Sequence, residues 1–454
     1  MHRSLVIGCL ALVGCANHAQ HTVALYETGD FAGAARTADA ELVAHPGDEA
    51  LWQMRVRAAL ALGDRPAMAR AYAAYRTQLG GDDDRALLRD LAIATLGQAL
   101  AAPSAKVRIA AIEAVEAAEL EPLADQVAQR MRDDDDRVVA TAAVAVLHGA
   151  PDAPKAAGDM LHSEDAEARR IAVEGIAKKV GKLALADLEA AGNDSDPRVR
   201  RAALRWLGQL KDAGAVELLT GRLRDPDEAV RAAAASSLAH LGVANLELGR
   251  LAVADHALAV RLAGIELLVA ARARSELAAL AEDADPMVAA EAAIAGGGGA
   301  PAARALERAA ASPEWAVRAG AANLAARALG KDAAVALARR LATDAELGVR
   351  LAAARVLAHA GDRPAAAAIF AAALTTDHRL DAAVDLAAQD DARGTTALDA
   401  AVGDPEHGAP ARAAAAAAHR TARVITPGLV AALADDSGAV RVEAAAALAL
   451  LTRR

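Results

Sequence analysis

The chain has only two cysteines in 454 residues, Cys9 and Cys15, both within the first fifteen positions. No disulfide can form beyond that point, so the rest of the chain is held by packing and hydrogen bonding alone. Aromatic residues make up 2% of the chain, as three Trp, three Tyr and two Phe, which excludes a core assembled around large rings. Alanine dominates a hydrophobic fraction of 55%. Each buried Ala methyl contributes about 0.8 kcal/mol, so stability must be summed over many small contacts between closely approaching helices. Cationic charge is not in excess: 50 Lys and Arg against 60 Asp and Glu leave a net charge of −10 at pH 7, which disfavours sequence-independent binding to phosphate backbones. No apolar run after Cys15 is long enough to cross a bilayer, because Arg, Asp or Glu interrupts each at helical spacing.

What the chain has in place of these is a period. In Asp194-Ser195-Asp196-Pro197-Arg198-Val199-Arg200, Asp196 suits a helix N-cap and Pro197 the first helical turn, while Val199, Ala203, Leu207 and Leu210 make one apolar stripe. A second apolar segment, Ala213 to Leu223, closes the unit before Asp225-Pro226. Positions equivalent to Val199 fall at Val107, Val138, Ala168, Val199, Val230, Val260, Val288, Val317, Val349, Leu380, Ala411 and Val440, at steps of 28 to 32 residues. A fixed period in this range marks a solenoid, in which stacked neighbours bury faces that no single helix pair can bury.

The pattern Asp-x-x-Val-Arg-x-x-Ala followed by Ala-Leu-x-x-Leu resembles HEAT repeats, particularly the short bacterial type also found in phycobilin lyases and deoxyhypusine hydroxylase. The resemblance covers roughly residues 86 to 454. It implies an all-α protein, a right-handed α-solenoid superhelix of HEAT-like helix pairs. Asp135, Asp165, Asp196, Asp227, Asp285 and Asp377 stand three residues before the marker, where a helix cap is expected. Arg169, Arg200, Arg231, Arg318, Arg350 and Arg441 stand one residue after it, and are expected to pair with capping carboxylates of adjacent repeats as a structural ladder. Ligand binding by this arginine column is the alternative.

Ahead of the repeats, His2 and Arg3 precede the apolar run Leu5 to Val13, the form of an export signal. Leu12-Val13-Gly14-Cys15 resembles the lipobox of bacterial lipoproteins, which implies a signal peptide over 1–14, lipidation of Cys15, and a lipidated polar tether over 15–22. An ordinary export signal with an incidental cysteine is the other reading. Over 23–81, Gly29-Asp30-Phe31 and Gly63-Asp64-Arg65 lie 34 residues apart. With Ala34, Pro46 and Trp52 at matching distances, the segment resembles about two tetratricopeptide repeats. Five of the eight aromatics sit here, as core or as the lining of a peptide groove. Gly80 to Asp84 is the expected joint, and residues 82–454 the solenoid of about twelve units. Gly296-Gly297-Gly298-Gly299 predicts a hinge at 296–299, since Gly costs about 1 kcal/mol per helical position. The last helix carries Val442, Ala446 and Ala449 where a solenoid end needs a polar cap, so a docking or dimerisation face is expected there.

Chemistry is harder to find. The iron-binding His-Glu dipeptides of deoxyhypusine hydroxylase have no counterpart, since no His is followed by Glu. The acidic run Asp133 to Asp136 lacks the spaced ligands of a calcium loop. No catalytic, cofactor or metal residues are therefore assigned, and no cofactor. The reading is a non-enzymatic protein-interaction scaffold, lipid-anchored in the cell envelope, with localisation at the periplasmic face of the outer membrane. Its partners would be envelope proteins or peptides, with no nucleic acid, on an inner face of second helices around Glu217, Arg222, Arg339 and Arg340. The rivals are a HEAT-fold enzyme, lyase or metal-dependent, with a concave-face site, and a nucleic-acid-binding solenoid.

Overall fold

The computed structural model describes residues 18–453. The signal segment 1–14 and Cys15 lie outside the described residues, and so does most of the expected tether. Its last part is not a linker: residues 18–22 open the helix His18–Glu27, and Thr22 is fully buried. Every regular element among the described residues is helical. The chain divides into two compact units, one formed by the residues up to Ala99 together with Leu398–Arg454, the other by Leu100–Ala397. This partition differs from the boundary drawn at residue 82, because helices from both chain ends share the first unit.

In that first unit, His18–Glu27, Phe31–Ala44, Glu49–Ala61 and Arg65–Gln78 form two helical hairpins. Asp30, Asp48 and Asp64 cap the last three by accepting backbone N–H bonds. Most of the aromatic cluster is core: Tyr72 and Tyr75 are buried, Trp52 stacks on Tyr75 at 6.4 Å between ring centroids, and Tyr26 packs on Phe31 at 5.1 Å. The acidic joint is engaged as well, since the hydroxyls of Tyr72 and Tyr75 donate to Asp83 and Asp84, each at 2.8 Å. Burial, then these carboxylates, push both phenol pKa values upward.

A fifth helix, Arg85–Ala99, lies against the terminal helix Gly438–Leu451. Val442, Ala446 and Ala449 are accordingly at most 3% exposed. The expected open docking face at the C-terminus is instead covered by the protein's own N-terminal segment, which supplies the apolar neighbour that the last repeat lacks.

In the second unit, the first helices of successive repeats pack directly on one another, as in Ala166–Val180, Pro197–Gln209, Glu228–His240 and Leu258–Ala270. Their buried residues are the apolar stripe, for example Val199, Ala203 and Leu207. The second helices between residues 124 and 280 have only six to eight residues and do not pack side by side in the same way. An inner face was expected on the second helices, around Glu217, Arg222, Arg339 and Arg340. Glu217 lies on one of these short second helices, Val216–Arg222, Arg222 bonds the Gly192 carbonyl and Asn193, Arg339 bonds Asp362, and Arg340 bonds Glu307.

The four glycines expected to form a hinge make the turn between the two helices of one repeat. Pro286–Ala295 ends at Gly296, Gly297 to Gly299 take φ of 124°, 72° and 64°, and the helix Gly299–Ala310 starts at once. Side-chain-bearing residues rarely adopt that backbone, which accounts for the run. The first helix here has ten residues, nearly three turns rather than two.

Candidate functional site

The arginine column is the most regular polar feature of the molecule. In a full rung, one guanidinium nitrogen donates to two carbonyls of the loop preceding its own helix, and the other two nitrogens grip an aspartate of the next repeat. Arg200 bonds the carbonyls of Asp194 and Ser195 at 2.8 and 3.0 Å, and both oxygens of Asp225 at 2.9 and 2.8 Å. Arg169 with Asp194, Arg231 with Asp255, Arg318 with Asp344 and Arg412 with Asp435 repeat the fork. Arg108 with Asp133 and Arg261 with Asp283 make single-nitrogen versions.

These aspartates are not the capping ones. Each stands two residues earlier, and also accepts the backbone N–H of the residue at the cap, as Asp225 does from Asp227 at 3.0 Å. The caps do a separate, local task. Asp135, Asp165, Asp196, Asp227 and Asp285 accept N–H bonds from the first turn of their helices. Asp135 and Asp196 also pair with Arg137 and Arg198, two residues on. The Arg198 pairing leads the causes that bring the Asp196 pKa down to about 2. Asp377 caps nothing: its helix starts at Arg379, with His378 at the cap position and Thr376 accepting the His378 N–H.

Burial alone would raise the ladder carboxyls, and at Asp225 it is the largest influence. The guanidinium of Arg200, the Asp227 amide and the charge of Arg222 together nevertheless hold that carboxyl below the usual range. The same balance lowers Asp133, Asp194, Asp283 and Asp435. Three repeats lack the arginine, with Val139, Ala289 and Asp381 in its place; in the first two the acid is replaced by Ser163 and Ser312, which accept the same backbone N–H. In those two rungs both charges are absent together, as expected when either alone would be a buried unpaired ion. Arg350 and Arg441 keep only the carbonyl bonds. Opposite Arg350 stands Thr376.

His419, which replaces an apolar stripe residue, is fully buried. Its Nδ1 donates to the Ala415 carbonyl at 2.8 Å, leaving Nε2 to accept from the Thr426 hydroxyl at 3.0 Å. Burial holds its pKa below the ordinary 6.5. The unfolded chain then takes up the proton first, so this histidine's contribution is intact above pH 6.5 and is lost as pH falls below it. Urea midpoints of the wild type should drop between pH 7 and 5 more than those of His419→Leu; parallel curves would contradict this.

The ladder faces the loops, whereas a groove lies across the first helices. Asp136–Ala145 is the shortest first helix between residues 105 and 209, with ten residues against 13 to 15 in its neighbours. It stops before His148-Gly149-Ala150-Pro151. The missing turn opens a groove of about 890 Å³ floored by Thr141, Val144, Gly175 and Ala202. A Cβ on Gly175 would lie 2.3 Å from the Val144 side chain, so glycine is what lets the two helices approach under the groove. Lys179 bridges to Glu116 at 2.7 Å, two repeats away, and Arg170 is held by Glu167 and Glu174. Lys178, Arg205 and the half-buried Trp206 complete the wall. None of these stands out in the sequence; the signals available are the short first helix and the Arg198, Arg201, Arg205 spacing. Among the described residues no three His, Cys, Asp or Glu converge so as to hold a metal ion, and no helix is long and apolar enough to cross a membrane.

Stacked helix pairs with a loop-side ladder define the class, an α-solenoid. Residues 154–242 match the family described as HEAT repeats. None of the curated proteins matches it. Among solved structures it is similar to the CpcE–CpcF complex of phycocyanin lyase from Nostoc sp. PCC7120, at 22% identity over 50% of this chain and 91% of that one, TM-score 0.32. It is also similar to human deoxyhypusine hydroxylase in complex with glycerol, at 20% over 54% and 94%, TM-score 0.27. A third is Kap121p bound to Nup53p, at 15% over 78% and 48%, TM-score 0.31. Likeness at this level carries no activity from those proteins to this one.

Proposed function

We propose that the protein is a non-enzymatic interaction scaffold, tethered to the cell envelope through a lipid on Cys15, which holds a protein or peptide partner on the first-helix face of its second unit. The observation that carries this reading is that face itself: a continuous layer of helices with a groove and outward side chains, built on an internally satisfied ladder. The Leu12-Val13-Gly14-Cys15 sequence supports the anchor, and the 34-residue spacing of Gly29 and Gly63 supports a tetratricopeptide-like reading of the first two hairpins. Placement at the periplasmic face of the outer membrane belongs to the same proposal.

The test is cross-linking of intact cells carrying a tagged protein, with Cys15→Ser as control, followed by envelope isolation. One stoichiometric co-purifying protein, lost or mislocalised with Cys15→Ser, is the expected result. Identical fractionation of both forms with nothing co-purifying would sink the tethered-scaffold reading.

A further inference from the structure

We infer that the groove between residues 113 and 209 binds an extended acidic peptide segment carrying an apolar side chain. This rests on the scaffold reading and names the partner's chemistry. Of the cations on this wall, Lys179 and Arg170 are neutralised internally by Glu116, Glu167 and Glu174. Lys178 and Arg205 line the same groove, are exposed, and make no hydrogen bond or ion pair among the described residues; Arg201, one turn earlier on the Arg205 helix, is also exposed and unbonded. The lining as a whole balances four carboxylates against four cations, but on the Trp206 wall Lys178 and Arg205, with Arg201 beyond the lining, are left without a carboxylate. A carboxylate is drawn to this wall, which fixes the side on which the acidic residues sit. Trp206 offers its apolar surface beside them, the amphipathic anchor common at the centre of interfaces. An extended chain suits the floor, because Thr141, Val144, Gly175 and Ala202 are too small to fill the space left by the missing helical turn.

The probe is a fluorescein-labelled peptide of alternating glutamate and leucine, titrated by anisotropy against the full-length protein in detergent, with its glutamine counterpart as control. The glutamate peptide should bind, the glutamine peptide should not, and the Lys178→Glu, Arg205→Glu double variant should bind at least about tenfold more weakly. Arg224→Glu, an exposed cation outside the groove, should bind as wild type; unchanged circular dichroism excludes unfolding as the cause. Equal binding of both peptides, or wild-type binding by the double variant, overturns the inference. So does displacement of the peptide by phosphatidylglycerol vesicles or single-stranded DNA at matched charge, which would assign the cations to phosphate. Cellular capture of a partner that survives the double variant would end this inference and leave the scaffold standing. Peptide binding without any captured partner would do the reverse.

Discussion

Asp225→Ala should destabilise the second unit by about 3–5 kcal/mol, the range for removing one partner of a buried ion pair. The Asp225 side chain is 0% exposed and that of Arg200 10%, so truncation leaves a largely buried guanidinium without its counter-charge. It also removes the acceptor for the Asp227 amide. The double variant Arg200→Val, Asp225→Ser copies the Val139–Ser163 rung that the protein already uses, and should recover most of the loss because no charge is left unpaired. Urea unfolding with hydrogen exchange over 197–240 measures both; equal losses in the single and double variants would refute the ladder's account. The sign of the pH dependence is set by the same pair. Folded Asp225 is held below its ordinary 3.8, so its contribution is complete above that value and lost as pH falls through the lowered folded value. The double variant should lose less stability than wild type in that acidic window.

How much of this is legible in the sequence differs between the two columns of the ladder. The arginines and caps repeat in plain view, because a helix start fixes local residue types at fixed offsets. The partner acid is not the capping residue that the sequence suggests. In Asp194-Ser195-Asp196 both aspartates recur, and only the orientation of the loop decides which one faces the neighbouring arginine. The co-substitutions of Val139 with Ser163 and of Ala289 with Ser312 are the signal that distinguishes them: in those rungs it is the residue two before the cap that changes with the arginine. The groove is illegible for a different reason. It arises from a helix that ends one turn early, and its lining comes from positions up to 96 residues apart, Glu113 to Gln209, whose convergence depends on stacking. The apolar last helix shows in sequence that it wants a cover, but nothing local to residues 438–451 says that the cover is Arg85–Ala99.

That cover leads to the second large effect. Ala446→Asp places a carboxylate at a site 3% exposed, on a helix packed by Ala409–Ala422 on one side and by Arg85–Ala99. With no cation described at that position, the expected cost is about 3 kcal/mol or more; on a free solenoid end the same change would fall within about 0.5 kcal/mol. The loss should not stay in the last repeat. Asp435 is gripped by Arg412 at 3.0 and 2.9 Å and by Arg65 at 2.6 Å, and Arg65 also reaches the Val402 carbonyl at 2.5 Å. Arg89 donates to the Ala449 carbonyl at 3.3 Å. Helices from both chain ends therefore share one set of buried bonds and should open as one cooperative body. Hydrogen exchange of Ala446→Asp should show protection lost together over 65–78, 85–99 and 438–451, with residues 197–270 unchanged. Arg65→Ala should reproduce the pattern more weakly, by about 1.5–3 kcal/mol for a charged hydrogen bond. Loss confined to 438–451 would mean that the N-terminal helices stand without the C-terminal repeats, and that the last helix is an independent end.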